Sequence, residues 1–140
     1  MCGARPVSVF RAIDPQELGA PAGFRHGLLA PAEGSILFVA GQTATGPDGA
    51  LVEGGFATQF AAVLDRVLAV VAAAGGGPEC IGRMSVFVTD MDAYLAARRE
   101  LGGVWRERLG SHYPAMTLVE VPRLVDEGAL VEIEATAVIA

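Results

Sequence analysis

Residues 55–74 set the strongest constraint on how this chain folds. Phe60, Val63, Leu64, Val67, Leu68 and Val71 recur at helical spacing, while Gln59, Asp65 and Arg66 lie off that stripe. The run predicts a long helix with one buried face. Gly75-Gly76-Gly77-Pro78 stops it, because glycine supplies a left-handed cap and proline cannot continue. Such a helix needs a partner layer, and the next segments provide one. Ile81 to Val88 alternates Met84, Val86 and Val88 with Arg83, Ser85 and Phe87, the period of a strand. Thr89 or Asp90 then offers an N-cap for a second helix reaching about Leu109. Tyr94, Ala97, Leu101, Val104, Trp105 and Leu109 form its inner stripe. Gly102 and Gly103 lie within it at about 1 kcal/mol each relative to Ala. They point to close packing against a sheet or to a local kink.

Further strands are expected at Val7 to Ala12, Leu28 to Ala30, Ile36 to Ala40, Met116 to Val121 and Leu130 to Ile139. Gly46-Pro47-Asp48-Gly49 is a strong turn. The order strands, helix, strand, helix, strand, strand gives an α+β layer with two helices on one face of a single sheet. Leu118, Leu130 and Val138 are assigned to the other face. A sheet apolar on both faces needs a second cover, and another copy of the chain is the simplest one. With 140 residues and no internal repeat or linker, 1–140 reads as a single domain.

Charge and residue usage remove several function classes. The net charge is −6, so the surface is a poor match for a phosphate backbone. All ten basic residues are arginine. Without lysine there is no Schiff-base nucleophile, no pyridoxal-phosphate anchor and no Walker-type loop. The two cysteines and two histidines have no CxxC or HxxxH spacing, so no built-in zinc site is expected. Cys80 reads as a small buried apolar residue. The first residues lack the apolar segment of a signal peptide, and no uninterrupted apolar run is long enough to span a membrane. The expectation is a soluble, cytoplasmic protein with reduced cysteines, no nucleic-acid partner and no membrane partner.

Few residues are placed for chemistry. Glu132 and Glu134 are two apart in the last strand and share a face with Thr136 and Val138. They are either a solvated sheet face or, in a partly apolar cleft between subunits, a carboxylate that binds or activates a water. His26 and His112 are isolated and read as ordinary loop histidines. Ser35, Ser85 and Ser111 lack a nucleophile elbow. Gly41, in Ala40-Gly41-Gln42, either turns the chain or lets a ligand approach the backbone closely.

Six segments in this order resemble the RidA/YjgF family of enamine and imine deaminases. They are Leu37-Phe38-Val39-Ala40-Gly41-Gln42, Gln59 at the helix start, Ala73-Ala74-Gly75, Ser85-Val86-Phe87-Val88-Thr89-Asp90-Met91, Tyr113-Pro114-Ala115, and Val131-Glu132-Ile133-Glu134-Ala135-Thr136-Ala137. The resemblance covers about 24–138. It implies a chorismate-mutase-like fold, a homotrimer whose sheets form a central barrel, and small-molecule ligand clefts between subunits. It implies hydrolysis of species such as 2-aminoacrylate to 2-keto acids and ammonia, with no cofactor and no metal. Glu132 is then the catalytic residue that positions the attacking water. Phe24, Ala40, Gly41, Arg98, Met116, Thr117 and Leu118 fall at substrate-binding positions.

The departure from that pattern lies at position 116. In the deaminases the Pro-Ala pair precedes an arginine that grips the substrate carboxylate, and here Met116 stands there. A thioether offers neither charge nor donor. Ala40, Phe24 and Leu118 likewise replace a serine, a tyrosine and a cysteine, which leaves Met116, Leu118 and Phe24 as an apolar wall beside Glu132. Arg98 or Arg25 is the candidate to replace the lost cation. The functional expectation is an atypical enzyme of this family acting on an imine, enamine or related metabolite. The alternative is a non-catalytic ligand-binding or regulatory trimer. Ribonuclease activity finds little support in an acidic chain without lysine.

Overall fold

The computed structural model describes residues 9–140. In chain order they form β1 (Arg11–Ile13), β2 (Gly27–Leu29), β3 (Ser35–Gln42), α1 (Phe56–Ala73), β4 (Ile81–Val88), α2 (Met91–Leu109), β5 (Ala115–Glu120) and β6 (Val131–Ile139). Of the strand expected over Val7 to Ala12, Val7 and Ser8 lie outside the described residues, Val9 and Phe10 form a bend, and only Arg11 and Ala12 fall in β1.

The helices form where the patterning puts them. Phe56, Gln59, Phe60, Val63, Leu64, Val67 and Val71 are the buried face of α1. Gly75 ends it at φ +92°, with Gly75 N–H on the Ala72 carbonyl at 2.9 Å and Gly76 N–H on the Val71 carbonyl at 3.0 Å. That paired closure consumes carbonyls the helix end leaves open. Asp90 caps α2 by accepting the Ala93 N–H at 3.1 Å. By length and mean hydropathy, 18 residues at 1.6, α1 would pass for a membrane span. Here its stripe packs on the sheet.

Four strands lie in the order β3-β6-β4-β5, with β4 and β5 parallel and the other pairs antiparallel. Val131, Ile133, Ala135 and Ala137 of β6 and Ile81, Met84, Val86 and Val88 of β4 are buried under the helices. The opposite face is open. Ile36 and Phe38 on it are 65% and 77% exposed, and Val119 stands across the sheet beside Phe87.

Four assignments change. Leu118 pairs with Val86, and both face the helices. Leu130 precedes β6 and packs against the core, because its N–H is held by Gln59 rather than by a neighbouring strand. Only Val138, opposite Ile36, belongs to the open face. The glycines of α2 are not there for close packing against the sheet. A Cβ on Gly103 would meet nothing within 4 Å, and one on Gly102 only the Arg106 tip. Cys80 is fully buried as expected, but it is disulfide-bonded rather than reduced.

Gln59 lies off the apolar stripe in sequence yet is only 3% exposed. Its amide donates to the Gly128 carbonyl at 3.1 Å and its carbonyl accepts the Leu130 N–H at 2.8 Å. Both ends of one side chain thus fix the loop that delivers β6. Gln59→Ala leaves the Gly128 carbonyl and the Leu130 N–H, both part-buried, unpaired beside a void. Denaturant unfolding should show a loss of about 2–4 kcal/mol, and a loss below about 0.5 kcal/mol would contradict this role.

Candidate functional site

β6 carries Glu132 on the open side of the sheet, beside Phe87 of β4. Its other neighbour, β3, is irregular there. Val39 pairs with Ala135 and Gln42 with Ile133, so β3 holds one residue more than β6 across this step. The bulge contains Ala40 and Gly41. A Cβ on Gly41 would stand 2.7 Å from Glu132 Oε1 and 3.0 Å from its carboxyl carbon. The bare backbone at Gly41 is therefore the seat of the Glu132 carboxylate. Gly41 thus sits in a bulge, where its bare backbone is approached by a carboxylate of its own chain. Arg66 fixes the end of β3 by donating to Gln42 Oε1 at 3.0 Å and to the Thr45 carbonyl at 2.7 Å.

A separate cavity of about 370 Å³ opens on the helix side, at the β5 edge of the sheet. Met116 and Leu118 project into it from β5, and Arg98, Leu101, Trp105 and Arg106 close it from α2. Tyr113 stacks on Trp105 with ring centroids 5.8 Å apart and planes 5° from parallel. Trp105 Nε1 donates to the His112 carbonyl at 3.1 Å. His112 Nε2 lies 2.7 Å from the Ile81 carbonyl, and as a carbonyl only accepts, Nε2 carries the proton. Burial holds this imidazole below its ordinary pKa, against the smaller opposing effects of Ile81 and Glu79. It is a neutral structural ring that anchors the loop before β5.

Ala22 and Gly23 border the cavity, and Phe24 follows them, 40% exposed and edge-on to His26 at 5.2 Å. This loop is fastened at its end. Asp14 accepts the His26 N–H at 2.8 Å and an Arg25 N–H at 2.8 Å. The His26 amide, then Arg25, hold the Asp14 carboxyl below its ordinary pKa, outweighing its desolvation.

The anticipated site residues therefore fall into separate groups within one chain. Arg98, Met116 and Leu118 share the cavity. Ala40, Gly41 and Glu132 sit together at the bulge, on the other side of the sheet. Thr117 faces the open side opposite Ser85. Met116 and Leu118 are not a wall beside Glu132 in its own chain, because alternate residues of a strand point to opposite faces. Tyr94, Trp105, Arg106 and Tyr113 also line the cavity, yet as site residues they escape the sequence reading. Tyr94 and Trp105 lie on the α2 inner stripe and read as core. Arg106 belongs to no motif of the sequence. Glu134, exposed, joins Arg83, Ser85, Thr136, Phe38 and Ala40 around a second hollow of about 430 Å³ on the open face. Among the described residues no three His, Cys, Asp or Glu side chains converge as metal ligands.

The Endoribonuclease L-PSP family matches residues 16–139. The chain is 34% identical over 105 residues to the RutC family protein PH0854 of Pyrococcus horikoshii, covering 74% of this chain and 79% of that one. It is 32% identical over 108 residues to the Escherichia coli protein named reactive intermediate deaminase TdcF, covering 75% and 80%. Among solved structures, the Rid protein YyfB of Yersinia pestis superposes with a TM-score of 0.79 at 28% identity, over 94% of this chain and 99% of that one. The structure of E. coli TdcF with bound serine gives 0.67 at 28% identity, over 87% and 92%.

The bulge seat is testable without a substrate. Gly41→Ala drives a methyl into the Glu132 carboxylate and should cost about 1–3 kcal/mol. In a Glu132→Ala background most of that cost should vanish, a coupling of about 1 kcal/mol or more by denaturant unfolding. Additive losses would mean that Glu132 does not occupy the seat.

Proposed function

The chain belongs to the Endoribonuclease L-PSP family, the RidA/YjgF deaminase group, and from that premise we propose that it is an atypical member hydrolysing an imine, enamine or related small metabolite. In the overall reaction water adds across the C=N bond, a carbonyl compound is left and ammonia departs. Glu132 is the residue that accepts a proton from the attacking water. The observation that carries this reading is the Glu132 carboxylate lodged on the side-chain-free Gly41. A carboxylate held at fixed position by a bulge is suited to orienting a water.

The site is completed by a neighbouring subunit in this proposal. The open face carrying Ile36, Phe38 and Val138 packs in a homotrimer, which brings one subunit's Glu132 and Gly41 to the Met116–Leu118 cavity of the next. No cofactor takes part. Two observations favour small-molecule hydrolysis over RNA cleavage. His26 and His112 are each engaged with a backbone carbonyl, of Gly19 and of Ile81, and the net charge of −6 repels a polyanion. Met116 in place of an arginine leaves the cavity floor without a carboxylate contact. The substrate is therefore one whose recognition does not depend on an anchor there.

Imines generated in situ from amino acids of graded side-chain size give the test, read as ammonia release. Glu132→Gln keeps the shape of the side chain and removes the proton acceptor. It should lower turnover by about 10²- to 10⁴-fold while leaving sedimentation mass at three chains. Normal turnover in an intact trimer would remove Glu132 from the chemistry. No turnover of any imine, with ligand binding retained, would favour the non-catalytic trimer that the apolar floor at Met116 and Leu118 also permits.

A further inference from the structure

The cavity against β5 has two cations on its rim. Arg98 and Arg106 both border it from α2, and among the described residues neither forms an ion pair. The other sequence candidate for a replacement cation, Arg25, is committed to Asp14 at 2.8 Å. Arg108 is likewise bound to Asp65 at 2.7 Å. Residues 98, 102 and 106 follow one another at four-residue spacing and share a helix face. Gly102, the middle one, borders the same cavity, and a Cβ there would stand 3.3 Å from a terminal nitrogen of Arg106. The Arg106 guanidinium thus leans back over the glycine, toward the Arg98 end, in the direction helix side chains favour. This gives the glycine inside α2 a reason that sheet packing did not. A side chain at 102 would crowd the guanidinium.

Below this rim the wall is apolar, with Phe60, Leu101, Trp105, Met116 and Leu118 as its main surfaces. We infer that the cavity takes a small carboxylate carried on an apolar body of aromatic size, with Arg98 and Arg106 holding the carboxylate at the α2 rim and the body resting on Trp105, Met116 and Leu118. The inference rests on the small-molecule site proposed above and moves its anion contact from the floor, where Met116 stands, to the helix. Charge complementarity commits the occupant. An anion gains from two unpaired guanidiniums at the mouth, and a compact anion without an apolar body leaves the floor unfilled.

The test is calorimetric titration of the full chain with 3-phenylpropionate, its neutral amide 3-phenylpropanamide, and acetate. The carboxylate should bind more tightly than either control. Both arginines are solvent-exposed, so each single change to Gln should weaken it about threefold and R98Q/R106Q about tenfold. The difference between wild type and double variant should shrink at high salt, and binding of the amide should not respond to the substitutions. Melting temperatures and the two single variants guard against a folding defect in the double. A double variant within twofold of wild type, acetate binding as tightly as 3-phenylpropionate, or no binding of 3-phenylpropionate to wild type would each overturn the inference. Imine turnover with arginine-independent binding would sink this inference alone. Arginine-dependent binding with no imine hydrolysed would sink the enzymatic reading alone.

Discussion

β6 runs between β3 and β4 and sends its side chains alternately to two different environments. Val131, Ile133, Ala135 and Ala137 are buried under the helices, while Glu132, Glu134, Thr136 and Val138 stand on the open face. A slip of one residue would drive both carboxylates into the core and lift four apolar side chains into water. Isolated carboxylates in such a core are far too costly to keep ionised, so the register is fixed by the strand's own alternation. Gln59 reinforces it at the entry, holding Gly128 and Leu130 on either side of Ala129. The bulge in β3 then follows from the partner strand. Where β6 presents Glu132, β3 presents an extra residue and a glycine.

From that arrangement the site inherits its division. The sheet separates Glu132 from the cavity that holds Met116 and Leu118, and β4 lies between their strands. A chain alone has a seated carboxylate on one side and an aromatic-walled cavity on the other. The symmetric assembly we propose through the open face would bring such halves together and cover Ile36 and Phe38 in the same step. One wall of the cavity is tied together by a chain of contacts. Tyr113 stacks on Trp105, the Trp105 indole is tied to the His112 carbonyl, and His112 is tied to β4.

Much of the fold was legible in the sequence because it rests on local signals. The α1 stripe, its glycine stop, the Asp90 cap and the alternation of β4 each depend on residues near one another. What was not legible depends on register. Leu118 was assigned to the wrong face because strand parity can be known only when the pairing with Val86 is known. Gln59 looked like a surface glutamine, since its partners lie about seventy residues away. Glu132 and Gly41 were each singled out, but their contact spans two strands that no spacing rule connects. Arg106 carried no signal at all. Its place on the cavity rim, leaning over Gly102, is visible only in the fold.

In the function we propose, the cleft lacks its carboxylate contact at position 116 and keeps Glu132 to position the water. Restoring that contact is the direct measurement. Met116→Arg places a guanidinium at the cavity floor, where a carboxylate on a small enamine would meet it. In the folded variant kcat/KM for freshly generated 2-aminoacrylate should rise by about 30-fold, the scale of a charge-assisted pair in a partly buried site. A correctly folded Met116→Arg protein of native sedimentation mass with no gain on 2-aminoacrylate would contradict it.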